Sequence, residues 1–410
     1  MTAPSTKRSR DEQATGRWLA LALLAAALVL SMTTWFSASA VVPQLRQEWG
    51  LSGSAAAWLT IAVQLGFVCG ALASSFLNLS DIVSPRRVIL GGSLGAAAVN
   101  ALLGVAGGAA AGIPLRFATG FFLAGVYPPA LKLMSTWFKK GRGVALGTLV
   151  GALTVGSATP HLVNGLGGLQ WTVVIYATSA LTLAGGLLGG LAVKDGPFPF
   201  PRATFDPRQA GRVFANRGVR LACLGYFGHM WELYAMWAWF ALFFSEALAS
   251  EGEFATAAYA TFAVIGAGGL GCLAGGALGD RWGRTKTTAL MMAVSGTCAL
   301  LIGFLLGAPA WIVLLVGLVW GFTVVADSAQ FSTMVTELAD QAYVGTALTL
   351  QLAVGFTLTV ATIWLIPLLV SAFGWGWAFA FLAPGPALGV LAMLRLMSVP
   401  EARRIAGGKG

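Results

Sequence analysis

Residues 275–284 read GGALGDRWGR. A run of small apolar residues stops at Asp280, and Arg281 and Arg284 follow within four positions. Small residues let helices pack closely inside a membrane, and a basic cluster marks the side on which a span emerges. A looser copy, LNLSDIVSPRR at 77–87, places Asp81 199 positions before Asp280. Two further matches keep nearly the same offset. Gly120-Phe121 recurs as Gly321-Phe322 at 201, and Gly143-Val-Ala-Leu recurs as Gly345-Thr-Ala-Leu at 202. Three coincidences at one spacing, each at an equivalent point of the span plan, predict a duplication of six spans plus six.

The composition agrees. Hydrophobic residues make up 57% of 410 residues and charged residues 10%, with a mean hydropathy of +0.79. Soluble globular chains carry about 25% charged residues, so this is the composition of a polytopic membrane protein embedded in a lipid bilayer. The net charge of +10 does not point to nucleic acid, because the basic residues lie in short clusters between apolar runs. Cys69, Cys223, Cys272 and Cys298 all fall inside apolar spans, without metal-ligand or paired spacing, and read as small buried hydrophobes. No metal or other cofactor is expected.

Spans of about 20 apolar residues cross a bilayer. The predicted spans are 18–42, 54–77, 87–106, 112–136, 143–165, 171–193, 219–246, 256–279, 286–306, 310–336, 344–370 and 375–397. The first is too long for a signal-peptide core and is read as an uncleaved membrane helix. With the N-terminus inside, 22 of the 25 Lys and Arg residues are cytoplasmic, which places both termini in the cytoplasm of a multi-pass inner-membrane protein. The expected organisation is a tail at 1–17, an N-terminal six-helix bundle at 18–193, a Pro- and Arg-rich cytoplasmic linker at 194–218, a C-terminal six-helix bundle at 219–397 and a tail at 398–410.

In these features the chain resembles the major facilitator superfamily, over essentially its whole length. Gly276, Leu278, Asp280, Arg281, Gly283 and Arg284 match the superfamily's signature between spans 8 and 9. The copy between spans 2 and 3 keeps Asp81, Arg86 and Arg87 but has Leu77 and Ser84 where glycines are usual. Arg116 and Gly120 in span 4 resemble the family's membrane-embedded arginine motif, with Thr119 where Gln is common. Span 5 lacks the Gly-Pro core of drug–proton antiporters. The resemblance implies an all-α fold of twelve transmembrane helices in two pseudo-symmetric bundles. Spans 1, 4, 7 and 10 would line a central cavity, and the signature aspartate would brace one state against the opposite bundle.

Ionisable residues inside a membrane are functional candidates by default. Here they are Arg116, Lys132, His161, His229, Glu232 and Asp327. His229 and Glu232 stand three residues apart near the centre of span 7, on adjacent helical turns. Burial and a nearby cation pull a carboxyl group's proton affinity in opposite directions, so such a pair can load and release a proton. Asp327 lies in the cytoplasmic half of span 10, and its repeat counterpart in span 4 is beside Tyr127. The expected solute contacts are Trp35, Arg116, Tyr127, His229, Glu232 and Asp327, and the expected proton carriers are Glu232, Asp327 and His229. Lys132 reads as a snorkelling residue at the inner boundary, and His161, after Pro160, as a kink residue.

The loop after span 4 is basic (Lys139, Lys140, Arg142), and its counterpart after span 10 is acidic (Glu337, Asp340). Ion pairs between them across the bundles are expected to hold the cytoplasmic mouth shut. The sequence holds no phosphate-binding loop of Walker type, no nucleophile constellation and no metal-ligand cluster, so an ATP-driven pump and an enzyme are both disfavoured. The expectation is a monomeric secondary transporter that takes a small polar or charged solute, with an organic anion slightly favoured and protons as the coupling ion. The alternatives are a drug or cation efflux antiporter and a sensor or scaffold of the same fold that does not transport.

Overall fold

A computed structural model describes residues 5–138, 141–166, 170–198, 205–248 and 254–410, with the side chains of 5–15, 80, 81 and 254 outside the description. Its first six helices are α1 (Ser5–Ser31), α2 (Gly53–Phe76), α3 (Pro85–Leu102), α4 (Ala109–Ser135), α5 (Arg142–Gly165) and α6 (Trp171–Leu187). The second six are α7 (Arg217–Ala247), α8 (Phe254–Trp282), α9 (Arg284–Ile302), α10 (Ala310–Leu338), α11 (344–373) and α12 (375–397). α11 and α12 are one helical run divided at Gly374, whose φ of 77° only glycine adopts readily. The twelve predicted spans are therefore present, and apart from the first their ends lie within a few residues of those expected.

Local chemistry starts several of them. Ser52 accepts the Ala55 amide ahead of α2, and Asn216 accepts the Val219 amide ahead of α7, each satisfying an orphan donor of a first turn. Pro85 supplies the preset φ at the start of α3.

The duplication is visible in the backbone. α4 breaks between Leu123 and Tyr127 and α10 between Val324 and Ser328, 201 residues apart. Gly120 seats against the backbone of Val63 in α2, and Gly321 against the backbone of Val264 in α8, at the same offset. A Cβ on either glycine would overlap the facing carbonyl. Lipid gives no hydrophobic drive for helices to associate, so this close approach through small residues supplies the packing.

Two seams join the halves. Along α5 and α8, a Cβ at Gly147 would stand 2.6 Å from the Cys272 carbonyl oxygen, and one at Gly151 2.9 Å from that of Gly269. Along α2 and α11, the Ser75 and Thr349 hydroxyls meet at 3.1 Å, and the Phe67 and Phe356 rings lie 4.7 Å apart. The described part of the connecting segment lies over the second seam. Phe205 packs edge-on against Phe76 at 4.9 Å, and the Asp206 amide donates to Thr346 Oγ1 at 3.0 Å. The Arg208 amide and the Gln209 side chain hold the Asp206 carboxyl below its ordinary range.

The first span departs from expectation. Instead of one helix over 18–42, α1 ends at Ser31 and gives way to a 3₁₀ turn at Met32–Thr34 and a short helix at Ser37–Ala40. The freed carbonyl groups need donors, and Arg116 supplies them. Its guanidinium donates to Thr34 O at 2.9 Å, Ser37 Oγ at 3.1 Å, Asn100 Oδ1 at 3.0 Å, Leu59 O at 3.2 Å and the Trp35 carbonyl. Arg116 is fully buried. It neither snorkels outward nor lines a cavity, so the expected solute contact at this position is replaced by a brace for the broken helix.

Candidate functional site

Two cavities enter the molecule from opposite ends. The larger, about 500 Å³, occupies the half that carries Arg142 and Arg284, and it is lined by Tyr127, Lys132, Tyr226, Tyr234, Trp237 and Phe356 among others. It reaches the surface at the exposed Gln341. The smaller, about 410 Å³, is lined by Arg46, His161, Asn164, Trp239 and Leu242 and reaches the opposite surface at Arg46 and Gln47.

An aromatic layer separates them. Trp35, Phe36 and Phe67 come from the first half, and Tyr234, Trp237 and Phe356 from the second. Trp35 stacks on Tyr234 at 6.0 Å and Phe36 on Tyr234 at 6.1 Å, while Phe36 meets Trp237 edge-on at 5.8 Å. Such ring pairs contribute about 0.5–1.5 kcal/mol each beyond the area they bury. Because the pairs join the halves, the layer comes apart only if the halves move relative to each other. Trp35 and Trp237 are buried in it with no hydrogen-bond partner for either indole N–H among the described residues. The expected contacts Trp35 and Tyr127 thus stand at the layer and on the larger cavity's wall respectively.

The helix 7 pair resolves differently from the sequence expectation. His229 and Glu232 do not bond to each other. Glu232 accepts Trp320 Nε1 at 2.6 Å and Ser295 Oγ at 3.0 Å, which locks it between α7, α9 and α10. His229 turns instead to Asp327 at the break of α10, with Nδ1 and Oδ1 2.9 Å apart and both side chains at most 2% exposed. The approach is a close polar contact out of hydrogen-bond alignment, and His229 Nε2 has no partner among the described residues. The cause is helical phase. Tyr226, Met230, Leu233, Tyr234 and Trp237 face the larger cavity, and positions 229 and 232 lie to the side of that stripe and behind it. Glu232, His229 and Asp327 are therefore inside the second bundle rather than on a cavity wall.

The expected ion-pair gate is also rearranged. Glu337 is held within its own bundle by Arg284 at 3.0 Å and by the Ala406 amide at 3.0 Å. Arg142 donates from Nε to Phe138 O at 3.0 Å, and Asp340 accepts the Ala342 amide. No pair between Arg142 and either acid forms among the described residues, because each acid has a nearer donor. Lys139, Lys140 and the side chain of Asp81 lie outside the described residues.

Arg284 also contacts Asp280 at 3.2 Å and Gln330 at 2.9 Å. The Asp280 carboxylate lies over the first turn of α5, where a Cβ on Gly143 would come within 2.5 Å of it. A negative charge at a helix N-terminus is favourable there. A Cβ on Gly276 would stand 2.7 Å from the Gly143 carbonyl. Gly283 has a φ of 108° and packs on the Lys409 backbone. Arg86 pairs with Asp195 at 3.1 Å, and Arg87 and Arg281 are exposed.

Sequence reasoning missed the layer partners Phe36, Phe67 and Phe356, the brace partner Asn100, and Ser295 and Trp320 around Glu232. Asn100 carried a signal, an uncharged polar residue deep in an apolar span. The aromatic residues carried none in a chain with 11% aromatic residues.

Twelve helices in two repeats, with two cavities on either side of a shared aromatic layer, define a multi-pass membrane fold of two six-helix bundles. Residues 24–360 match the Major Facilitator Superfamily, and the chain belongs to that family. It is 29% identical over 208 residues to the multidrug efflux pump LfrA of Mycolicibacterium smegmatis, covering 50% of this chain and 40% of that protein. It is 26% identical over 269 residues to the probable sulfoacetate transporter SauU of Cupriavidus necator, covering 59% and 60%. It is 29% identical over 172 residues to the puromycin resistance protein pur8 of Streptomyces alboniger, covering 41% and 34%. The matches thus span less than two thirds of each relative's length. The structure is similar to that of a bacterial homologue of the human lysosomal transporter Spinster, crystallised inward-facing and unoccupied. The TM-score is 0.64 at 14% identity, over 93% of this chain and 95% of that one, a likeness of fold.

Proposed function

We propose that the chain moves a small organic anion with an apolar, ring-bearing body across the cytoplasmic membrane, by alternating access of its two bundles and coupled to protons. One observation carries the reading. Among the described residues, Arg284 and Glu337 on the larger cavity's wall pair with each other, and apart from Lys132 the remaining charged side chains lining the two cavities are Arg46 and Arg142, both basic. The acids that would favour a cation, Glu232 and Asp327, are turned away from both cavities. A low-dielectric cleft lined by one sign of charge concentrates ligands of the opposite sign. Tyr226, Tyr234, Trp237 and Phe356 offer an apolar surface for the rest of the solute.

The buried His229–Asp327 contact is the favoured proton carrier. It joins α7 to the lower half of α10 next to the break, so a change in its protonation alters the packing of two helices on the cavity wall. Glu232, held by two hydrogen bonds, is the second candidate. The basic clusters favour the larger cavity facing the cytoplasm, with both termini on that side. The name of the sulfoacetate relative supports an anion. The names of LfrA and pur8, together with the ring-lined cavity, favour a second reading, efflux of larger amphipathic compounds.

The test is uptake of a panel of organic anions, cations and neutral solutes by purified protein in liposomes, with and without a pH gradient. Gradient-driven accumulation of anions is expected, lost in Asp327→Asn and retained within about twofold in Glu232→Gln. Accumulation of cations alone would overturn the anion assignment, and an unchanged pH response in Asp327→Asn would overturn the coupling assignment.

A further inference from the structure

The smaller cavity has the makings of a binding station of its own. Its walls come from both halves: Ser39, Ala40 and Arg46 beyond the break of α1, Thr60 of α2, His161 and Asn164 of α5, and Trp239 and Leu242 of α7. Most of its polar groups are already engaged. Ser39 and Thr60 share a hydrogen bond at 2.7 Å, and Asn164 donates to Ala40 O at 2.7 Å and accepts from Gln44 at 3.2 Å. Trp239 donates its indole N–H to Ile363 O at 3.0 Å, which leaves its ring as apolar lining. Besides the exposed Gln47, two groups remain uncommitted among the described residues. His161 is 2% exposed and its Nε2 has no hydrogen-bond partner. Arg46 is exposed at the rim, on a short helix at Val42–Trp49. No carboxylate among the described residues lines the cavity.

A buried polar atom without a partner is costly, and native structures seldom keep one without a use. An arginine at the rim, a buried imidazole deeper in and an apolar floor of Trp239 and Leu242 match one kind of ligand. That ligand carries a carboxylate or sulfonate head on an apolar body. A bare inorganic ion would meet the Arg but gain nothing from the floor.

We infer that the smaller cavity is a second solute station, where the anionic head bonds to Arg46 and His161 while the solute waits on the far side of the aromatic layer. This rests on the anion reading and deepens it. It also gives His161 a role in recognition in place of the kink expected from sequence. Trp237 faces the larger cavity and Trp239 the smaller, so opposite faces of one turn of α7 serve the two stations.

The chain contains only two histidines, so side-chain nitrogen-15 NMR of histidine-labelled full-length protein in nanodiscs reports on His161 and His229 alone. His161→Gln and His229→Gln samples assign the two signals, and either one suffices. Benzoate, benzenesulfonate, inorganic phosphate and neutral benzamide are titrated in turn. A saturable shift of the His161 signal is expected with benzoate or benzenesulfonate and not with benzamide. Arg46→Gln, at an exposed site where folding is not at stake, should raise the half-saturating concentration about tenfold, the effect of losing one charge-assisted contact. A His161 signal indifferent to both organic anions, equally responsive to benzamide, moved by phosphate alone, or unaffected by Arg46→Gln would overturn the station. Uptake by the same protein in liposomes is read separately. Anion uptake with a silent His161 would sink this inference and leave the transport reading standing.

Discussion

Removing both members of the His229–Asp327 contact should cost less than the sum of removing each alone. His229 Nδ1 and Asp327 Oδ1 approach to 2.9 Å with side chains 1% and 2% exposed. With the imidazole protonated and the carboxylate ionised, their gross attraction at an effective dielectric near 20 is about 6 kcal/mol. Desolvation of each ion takes back several kcal/mol, which leaves a modest net value for the pair but a large penalty for an orphaned charge. Asp327→Asn and His229→Gln should each destabilise the protein by about 3–5 kcal/mol. The double variant should be at least about 1.5 kcal/mol better than the sum of the singles, within the range of couplings for contacting residues. Reversible unfolding of the purified protein in mixed micelles, followed by far-ultraviolet circular dichroism, measures all four corners of the cycle. Additivity within about 0.5 kcal/mol would refute the reasoning, because it would mean that the groups do not interact as charges.

Other substitutions test the remaining parts. Arg116→Lys keeps the charge but offers three donors where five contacts are made. Losing two bonds from a charged donor, each about 1.5–3 kcal/mol, should lower stability by about 3–6 kcal/mol in the same unfolding assay and expose the break of α1 to proteolysis. Arg142→Glu should leave the inward–outward balance within about 1 kcal/mol of the parent in spin-label distance measurements, the scale of an exposed ion pair. A larger shift would restore the cross-bundle gate that the Arg284–Glu337 pair displaces. Gly321→Leu should abolish folded protein on size exclusion, because its side chain would enter the backbone of Val264.

Much of the architecture was legible in the chain because the bilayer makes it local. Span length follows from the thickness of hydrocarbon, and the topology expectation from the count of basic residues, so neither requires knowledge of what packs on what. The repeat was legible for the same reason, since Gly120 and Gly321 mark the same close approach twice. Gly374 divides the last two helices where the predicted spans divide.

The site was less legible. The sequence alone named the intramembrane ionisable residues, and it could place His229 and Glu232 on neighbouring turns. It could not tell which way those turns face, since that depends on the rotation of α7 against its neighbours. Only the tertiary structure sent His229 to Asp327 and Glu232 to Trp320 and Ser295, and turned all three away from the cavities. It likewise spent Arg116 on carbonyls freed by a break in α1 that hydropathy does not register. Hydrophobicity is a property each residue carries by itself and sums along the chain. A hydrogen-bond partner is a property of two residues, here 88 positions apart for Glu232 and Trp320, and exists only once the helices have packed.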